Sequence, residues 1–506
     1  MLGQRREGGG SVVIKDICWK TICAEFVICA AMAGAGFGQT LNTLASFDGV
    51  NGSNPFYGSL VQGRDGNYYG GTELGGMGSC YLGSGCGTIF EVTSSGTLAR
   101  LYSFCRHNNC ASGEIPLAGL LLASDGNAYG TSWYGGSSGF PCSEGCGTIY
   151  KVAKGTVTTL YNFCAEANCA DGGNPYAALI EGADGNFYGT TSAYGAFSGG
   201  TVFRITPAGQ LTTIYSFCQQ QPGCLDGEYP NAGVIQGSDG SLYGTTYYGG
   251  ANGWGTVFKV TAEGTLSVLH SFAGTPSEGG YPSAGLIQGA NGNFYGTTLH
   301  GGANTCFEGC GTVFKITPSG AFVTLHTFAG PEGSLPGASL IQATDADFYG
   351  TTTGGGNDNA GTIFRMSSTG TLETLYSFCA QTNCRDGGTP WGALLQATNG
   401  TFYGTTYGGG NSSCQDCGTV FSLNIGLGPF ITLDRAVRKA GQVCGILGQG
   451  LTGTTNVSLN GVPAKFEVIS DTFIEATIPT GATTGYVTVK TPTSTLTSNV
   501  ALRVIQ

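Results

Sequence analysis

Charged side chains are scarce in this chain: Asp, Glu, Lys and Arg make up 10% of its 506 residues, against about 25% in an average globular protein. What charge there is sums to -11. A protein that tracks phosphates needs clustered Lys and Arg, so this balance argues against nucleic acid as a partner. Histidine is rare as well, with four residues, and no metal-helix motif, serine elbow or glycine-rich phosphate loop stands in a supporting context. Long apolar runs are missing too. The stretch at residues 26–37 falls short of the roughly 20 residues a membrane-spanning helix needs.

Glycine is abundant, with 91 residues, and much of it marks a repeat. Tyr-Gly returns at Tyr69, Tyr129, Tyr188, Tyr243, Tyr295, Tyr349 and Tyr403, each followed by a Gly-Thr-Val/Ile-Phe/Tyr strand. A period of 52 to 60 residues filled with short strands and turns indicates an all-β array. In the fourth repeat an apolar run at 232–236 is followed by Asp239-Gly240 and then Leu242-Tyr243-Gly244-Thr245-Thr246. That reads as a hairpin with a two-residue turn whose central positions both have positive φ. Further strands at 256–260 and 266–272 complete four antiparallel strands, one propeller blade.

The two ends of the array fix its closure. The seventh repeat ends its third strand at 419–423 without a fourth, while residues 39–47 (Gln-Thr-Leu-Asn-Thr-Leu-Ala-Ser-Phe) match the fourth strand of other repeats, such as 211–217 and 372–378. The N-terminal strand is therefore expected to complete the last blade, closing a seven-bladed β-propeller over 39–425 and hiding two sheet edges. Residues 428–506 lack the repeat and show alternating short strands that suit a β-sandwich.

Of 20 cysteines, sixteen form local couples: Cys80/Cys86, Cys105/Cys110, Cys142/Cys146, Cys164/Cys169, Cys218/Cys224, Cys306/Cys310, Cys379/Cys384 and Cys414/Cys417. They are expected to be small disulfides, each stiffening its loop by roughly 2 kcal/mol, in an oxidising compartment. Zinc competes at the Cys-Gln-Asp-Cys of Cys414 to Cys417, but the other couples are spaced too variably to repeat a tetrahedral site, and no metal or cofactor is expected. Residues 1–38 place Arg5, Arg6, Lys15 and Lys20 before the apolar stretch and the small residues Gly36 and Gly38 at its end, where a signal peptidase needs them, the pattern of a cleaved export signal. An uncleaved anchor or a misplaced start is the alternative, because Glu25 interrupts it. Cleavage leaves no transmembrane span and one unpaired cysteine, Cys444.

Two resemblances follow from these residues. Tyr243-Gly244-Thr245-Thr246, Gly255-Thr256-Val257-Phe258-Lys259-Val260-Thr261 and Gly370-Thr371-Leu372 through Leu375-Tyr376-Ser377-Phe378 are similar to the bacterial GloVer tandem repeat, which implies an extracytoplasmic location and no assigned activity. Gly448-Gln449-Gly450-Leu451, Ile474-Glu475-Ala476 and Ile478-Pro479-Thr480-Gly481 resemble the IPT/TIG immunoglobulin-like family, which implies an Ig-like module and no catalysis.

In such blades the second-to-third loops and the blade connections share one face, and that face carries every cysteine couple and every large length difference. Long loops on a rigid scaffold are where binding residues usually lie. The recurring Tyr of Tyr-Gly and Phe of Gly-Thr-Val-Phe read as packing between blades. Residues after Gly-Thr-Thr differ between blades, and with residues of nearby loops they give the ligand-binding candidates Glu73, Trp133, Tyr134, Tyr194, Tyr247, Tyr248, Trp254, His300, Trp391 and Tyr407. Exposed aromatic planes beside polar donors suit sugar rings; packing at the blade edge is the bland alternative. His270 and His326 replace a recurrent tyrosine, and Asp48, Asp171, Asp226 and Asp386 precede the loop prolines as turn formers. No catalytic residue is assigned, because nothing in the spacing selects a carboxylate pair. The expectation is a monomeric, exported binding or scaffold protein whose partner is an extracellular polysaccharide or a surface protein. A polysaccharide-degrading hydrolase or lyase and a purely structural adhesion protein are the alternatives.

Overall fold

The computed structural model describes residues 40–505 except 79, 81–83, 106–109, 138–141, 154, 304, 411–413 and 415. The expected export signal and His107 lie outside the described residues. From Leu41 onward the chain forms one compact unit. It is all β: among the described residues there is no α-helix, and two short 3-10 turns sit in loops.

Seven four-stranded antiparallel sheets of one design follow each other along the chain. In the fourth, Ile235–Gln236, Leu242–Thr246, Thr256–Val260 and Leu266–Ser271 pair in order, with Tyr243 opposite Lys259 and a bulge between Val257 and Phe258. The seventh sheet departs from chain order. Thr40–Ser46 lies beside Thr419–Asn424, which pairs with Phe402–Thr406 and then Leu395–Gln396. The N-terminal strand thus supplies the outer strand that the last repeat lacks, and the Phe47 N–H donates to the Gly418 carbonyl at 3.0 Å.

Four of the sheets hand a threonine hydrogen bond to the next. Thr131, Thr190, Thr245 and Thr351 donate from Oγ1 to the carbonyls of Ala177, Ala232, Ala284 and Gly392 at 3.0 to 3.3 Å. The series returns to its start: Gln62 Nε2 donates to Thr398 Oγ1 at 3.1 Å, and the rings of Tyr68 and Tyr403 lie 4.1 Å apart. Small residues of all seven sheets, among them Ser59, Ala118, Ala177, Ala232, Ala284, Ala338 and Ala393, line a central channel of about 210 Å³. The arrangement is propeller-like.

The Asp-Gly turns are not the two-residue turns expected. The Gly66 N–H donates to the Gly63 carbonyl and the Gly63 N–H to the Asn67 carbonyl, and within this loop only Gly66 has positive φ, at 85°. This is a type I turn followed by a glycine bulge. The cause is the side chain of the turn residue. Asp65 accepts from the Asn67 N–H at 3.2 Å and from the Tyr69 hydroxyl at 2.5 Å, which fixes it in the right-handed region. The tyrosine clamp recurs at Tyr129, Tyr188, Tyr243 and Tyr349 on aspartates, and at Tyr295 and Tyr403 on asparagines. The recurring tyrosine therefore holds its own turn while its ring stacks on the next sheet, as Tyr243 does on Phe294 at 4.0 Å. Such ring pairs are worth about 0.5–1.5 kcal/mol beyond the area they bury.

A second device sits at the other end of the same strand. Thr246 and Thr256 share a buried hydroxyl contact of 2.8 Å, and all seven sheets repeat it, with Ser132 replacing threonine once. Glycine approaches this pair so closely that a Cβ on Gly279, whose φ is 84°, would meet Thr298 Oγ1 at 2.1 Å.

The C-terminal segment forms two four-stranded sheets that share one core. Thr432–Leu433, Val443–Leu447, Phe473–Thr477 and Lys465–Ser470 make one; Val462–Pro463, Asn456–Leu459, Val487–Lys490 and Thr495–Thr497 make the other. Ile446, Val457, Ile474, Val489 and Leu502 fill the space between them. This module docks on the short-turn side of the sheet array. Arg435 reaches Glu181 at 3.0 Å with both side chains largely buried, the Thr472 hydroxyl donates to the Arg64 carbonyl at 2.6 Å, and the Arg64 guanidinium covers the Phe473 ring. Cys444, the free cysteine among the described residues, is buried in its core, where desolvation pushes its thiol up to about 12.

Removing one partner of a buried ion pair costs about 3–5 kcal/mol because the other charge stays buried. Arg435→Ala is accordingly expected to lower the urea midpoint, and the double change Arg435→Met with Glu181→Gln to recover most of the loss. An unchanged midpoint in the single variant would mean that the pair does not hold the module in place.

Candidate functional site

The short-turn side is covered by the C-terminal module, which leaves the opposite, loop-rich side as the open end. Eight disulfides pin that side. Cys80–Cys86, Cys142–Cys146, Cys306–Cys310 and Cys414–Cys417 close second-to-third loops. Cys105–Cys110, Cys164–Cys169, Cys218–Cys224 and Cys379–Cys384 close connections between sheets.

One residue per repeat, immediately before the loop proline, takes the left-handed conformation: Asn54, Ile115, Asn174, Tyr229, Tyr281, Leu335 and Thr389, with φ of 53° to 56°. This is costly for side-chain-bearing residues, about 1–3 kcal/mol each, and worst for β-branched Ile115 and Thr389. Hydrogen bonds on both sides hold it. The Tyr281 N–H donates to the Trp254 carbonyl of the preceding repeat, and the Leu299 N–H donates to the Tyr281 carbonyl from its own; the same two bonds recur at the other positions. The strained residue thus ties each repeat to its predecessor and turns the residue after the proline inward.

Those inward residues meet at the end of the channel. Tyr57 and Tyr176, from the first and third repeats, lie 5.2 Å apart. Burial and the neighbouring Tyr176 hold the Tyr57 phenol well above its ordinary pKa, and it also faces Tyr247 and Ser283. Tyr57 lines the channel together with Tyr176, Ser283 and Trp391. Around it runs a continuous aromatic surface: Phe56 touches Tyr57, Trp391 and Tyr407 at 4.4, 5.1 and 5.5 Å, and Tyr176 touches Trp133, which packs on Tyr134. Ser283, 6% exposed, also lines the channel, with its hydroxyl beside Tyr57.

Five candidates named from sequence therefore belong to one surface: Trp133, Tyr134, Trp391, Tyr407 and Glu73. Glu73 is half-buried, and desolvation raises its carboxyl pKa. After burial, its charge helps to raise the phenol pKa of Tyr176 and Tyr407, from the third and seventh repeats. Among the described residues no Lys, Arg or His forms an ion pair with it.

The remaining candidates do not join that surface directly. Tyr247 stacks on Tyr281 at 5.0 Å, with Tyr248 and Trp254 against the same ring. His300 lies edge-on to Tyr281 and 3.8 Å from Glu308, and burial lowers its pKa. Tyr194 packs on the core behind Cys146. The expectation of exposed aromatics needs correction for both groups: Tyr248 is 40% exposed, but the other candidates, Trp133, Tyr134, Trp391 and Tyr407 included, are half-buried because neighbouring loops lean on them.

Of the aspartates before the loop prolines, three are fully occupied, while Asp48 is exposed and accepts from the Val50 and Asn51 N–H groups. Asp171, Asp226 and Asp386 are 0% exposed, and each accepts from a tyrosine hydroxyl and two backbone N–H groups. His270 and His326 take the tyrosine's place opposite Glu278 and Glu332. None of these carboxylates is free to pair with Glu73 in acid–base chemistry.

Sequence reasoning missed Phe56, Tyr57, Tyr176 and Ser283. The signal was there: the position after the loop proline holds Leu117, Tyr176, Asn231, Ser283, Gly337 and Trp391 in successive repeats, and the first repeat inserts one residue to give Phe56-Tyr57.

Comparison with known proteins adds a family. A model of the Gloeobacter/Verrucomicrobia repeat matches residues 35–224 and 219–421. No curated protein matches the chain. Similar solved structures include a fungal alcohol oxidase in complex with copper, at 12% identity over 91% of this chain and 97% of that one with a TM-score of 0.47. Another is the oligogalacturonate lyase of Vibrio parahaemolyticus, at 10% identity over 76% and 97% with a TM-score of 0.43. Likeness at this level carries no argument about activity.

A carboxyl whose pKa is raised by folding stabilises the folded state at low pH, and that contribution is lost as pH rises through the raised value. Glu73→Gln removes the charged form, with its Tyr176 and Tyr407 neighbours unchanged. Thermal melts should show the variant more stable than the parent at neutral pH and indistinguishable below the ordinary glutamate range. Equal melting at both pH values would contradict a desolvated Glu73.

Proposed function

The chain belongs to the Gloeobacter/Verrucomicrobia repeat family, and from that premise we propose that it is an exported carbohydrate-binding protein: a seven-bladed β-propeller that engages glycan on its loop-rich face and carries an Ig-like module of the IPT/TIG kind on the other. One observation carries the reading. Phe56, Tyr57, Tyr176, Trp391 and Tyr407 form a continuous aromatic surface, with an unpaired Glu73 beside them, at the end of the ring that the C-terminal module leaves open. Sugar rings offer apolar C–H faces to such planes and hydroxyls to the polar groups between them. Rigid placement supports binding as well, since disulfides and doubly tied strained residues hold the loops in advance of any ligand.

Export is supported by the signal-like N-terminal segment and by eight loop disulfides, which persist only outside a reducing cytosol. No helix among the described residues is long and apolar enough to cross a membrane. Binding is favoured over hydrolysis because the recurrent aspartates, spent on tyrosines and backbone, cannot serve as the second carboxylate that glycoside cleavage uses.

A glycan-array screen of the secreted protein, with reducing-sugar release measured on the hits, tests this reading. Binding without release is expected. Trp391→Ala and Tyr407→Ala should each weaken the hits about 10-fold or more, the effect of losing an aromatic anchor worth roughly 1.4 kcal/mol or above. Absence of any glycan hit would overturn carbohydrate recognition, and sugar release would move the assignment to an enzyme.

A further inference from the structure

Two disulfides lie side by side where the first repeat passes into the second. Cys80–Cys86 closes the second-to-third loop of the first repeat and Cys105–Cys110 the connection that follows, and Cys105 Sγ is within 4.8 Å of both Cys80 Sγ and Cys86 Sγ. Glu114, 7% exposed, stands against them. One of its oxygens, Oε2, is 2.6 Å from Cys80 Sγ and 3.8 Å from Cys105 Sγ. A disulfide sulfur carries no hydrogen, so neither contact gives the carboxyl a donor, and among the described residues no Lys, Arg or His forms an ion pair with it. Burial, with the Glu144 carboxylate nearby, raises its pKa to about 6. A buried acid without a donor is costly to ionise, and the groups it touches would supply a donor only as thiols. The disulfides themselves do not require it. Gly173 takes the equivalent bridge position in the next repeat, where Cys164 Sγ lies equally close to Cys142–Cys146 and no carboxylate joins the group.

We propose that Cys80, Cys86, Cys105, Cys110 and Glu114 form a thiol–disulfide exchange site that takes electrons from a small dithiol, with Glu114 carrying the proton between the two sulfur pairs. This activity is independent of what binds at the aromatic surface. Cys110 is half-buried and Cys105 buried, so Cys110 receives the attack. The incoming thiolate bonds to Cys110 Sγ, the bond to Cys105 breaks, and the electron pair leaves on Cys105 Sγ, which takes the proton of Glu114. The second thiolate of the reagent then displaces Cys110, which takes a proton from water. The dithiol departs as a disulfide, and Cys105 and Cys110 remain as thiols. Cys105 next returns its proton to Glu114, attacks Cys86 Sγ and expels Cys80, which is protonated from the same Oε2. The product is a Cys86–Cys105 bridge with Cys80 and Cys110 as thiols.

The test is disulfide mapping of the whole secreted protein after limited reduction with a single equivalent of dithiothreitol, acid quench, alkylation and peptide mass spectrometry. A Cys86–Cys105 bridge is expected in the half-reduced protein, with Cys80 and Cys110 alkylated. The opening rate of this pair, referred to the thiolate concentration of the reagent, should fall about 10-fold or more as pH rises through about 6, because the leaving sulfur loses its proton donor. Glu114→Gln should abolish that fall and Glu114→Asp should keep it, while Cys142–Cys146 and Cys164–Cys169 show no such fall in any of the three proteins. Parental opening rates at the other disulfides report that each variant is folded. Half-reduced protein that holds only the original pairings overturns exchange between the two disulfides. A pH profile shared with the group around Cys142, or one that survives Glu114→Gln, overturns Glu114 as the proton carrier. The bridge and the comparison with the Cys142 group are both read in the parent protein, so a variant that misfolds leaves the proposal open to refutation.

Discussion

The pairing of Thr40–Ser46 with Thr419–Asn424 is the contact on which the rest of the molecule depends. Without it the seventh sheet would expose an edge, and the first repeat would lose part of its hold on the last. With it, Phe47 packs on Phe90 and Tyr68 on Tyr403, in one core that draws on both ends of the array. The candidate site lies on this seam. Phe56 and Tyr57 come from the first repeat and Trp391 and Tyr407 from the seventh, and the Asn54 side chain donates across the same junction to the Tyr407 and Asp416 carbonyls. Closing the ring and building the aromatic surface are one event.

Repetition and variation divide the work between them. The tyrosine clamp, the buried threonine pair and the left-handed residue before each proline occur in every repeat, and they fix the turn, the strand pair and the loop base respectively. Their energy goes into holding geometry. The positions they hold out toward the channel are free to differ, and they do: tryptophan and tyrosine on the seam side, Asn231 and Ser283 opposite. Strain before each proline is sustained by two backbone hydrogen bonds to different repeats, so it persists only while neighbouring repeats stay in register.

Much of this was legible in the sequence because a repeat makes local signals redundant. Seven copies of Tyr-Gly gave the strand order, and the orphan fourth strand at the N-terminus gave the seam. The turn was misread because dipeptide rules weigh φ preferences, whereas here a tyrosine four residues on captures the aspartate side chain and holds it right-handed. Tyr57 and Tyr176 were passed over because the residue after a proline looks like part of a turn, and its inward direction follows from the unusual φ of the residue before that proline. Docking of the C-terminal module left no trace in the pattern, since Glu181 and Arg435 are brought together only by the completed fold. A half-buried acid with no partner, Glu73, is likewise a statement about what surrounds it in space.

The account stands or falls on the seam, and native-state hydrogen exchange reads it directly. Backbone amides of the N-terminal strand Thr40–Ser46 should open with the same free energy as those amides of Thr419–Asn424 that face it, because each set loses its acceptors when the two strands part. Free exchange of the N-terminal strand, with the last sheet still protected, would contradict the closure and the site built upon it.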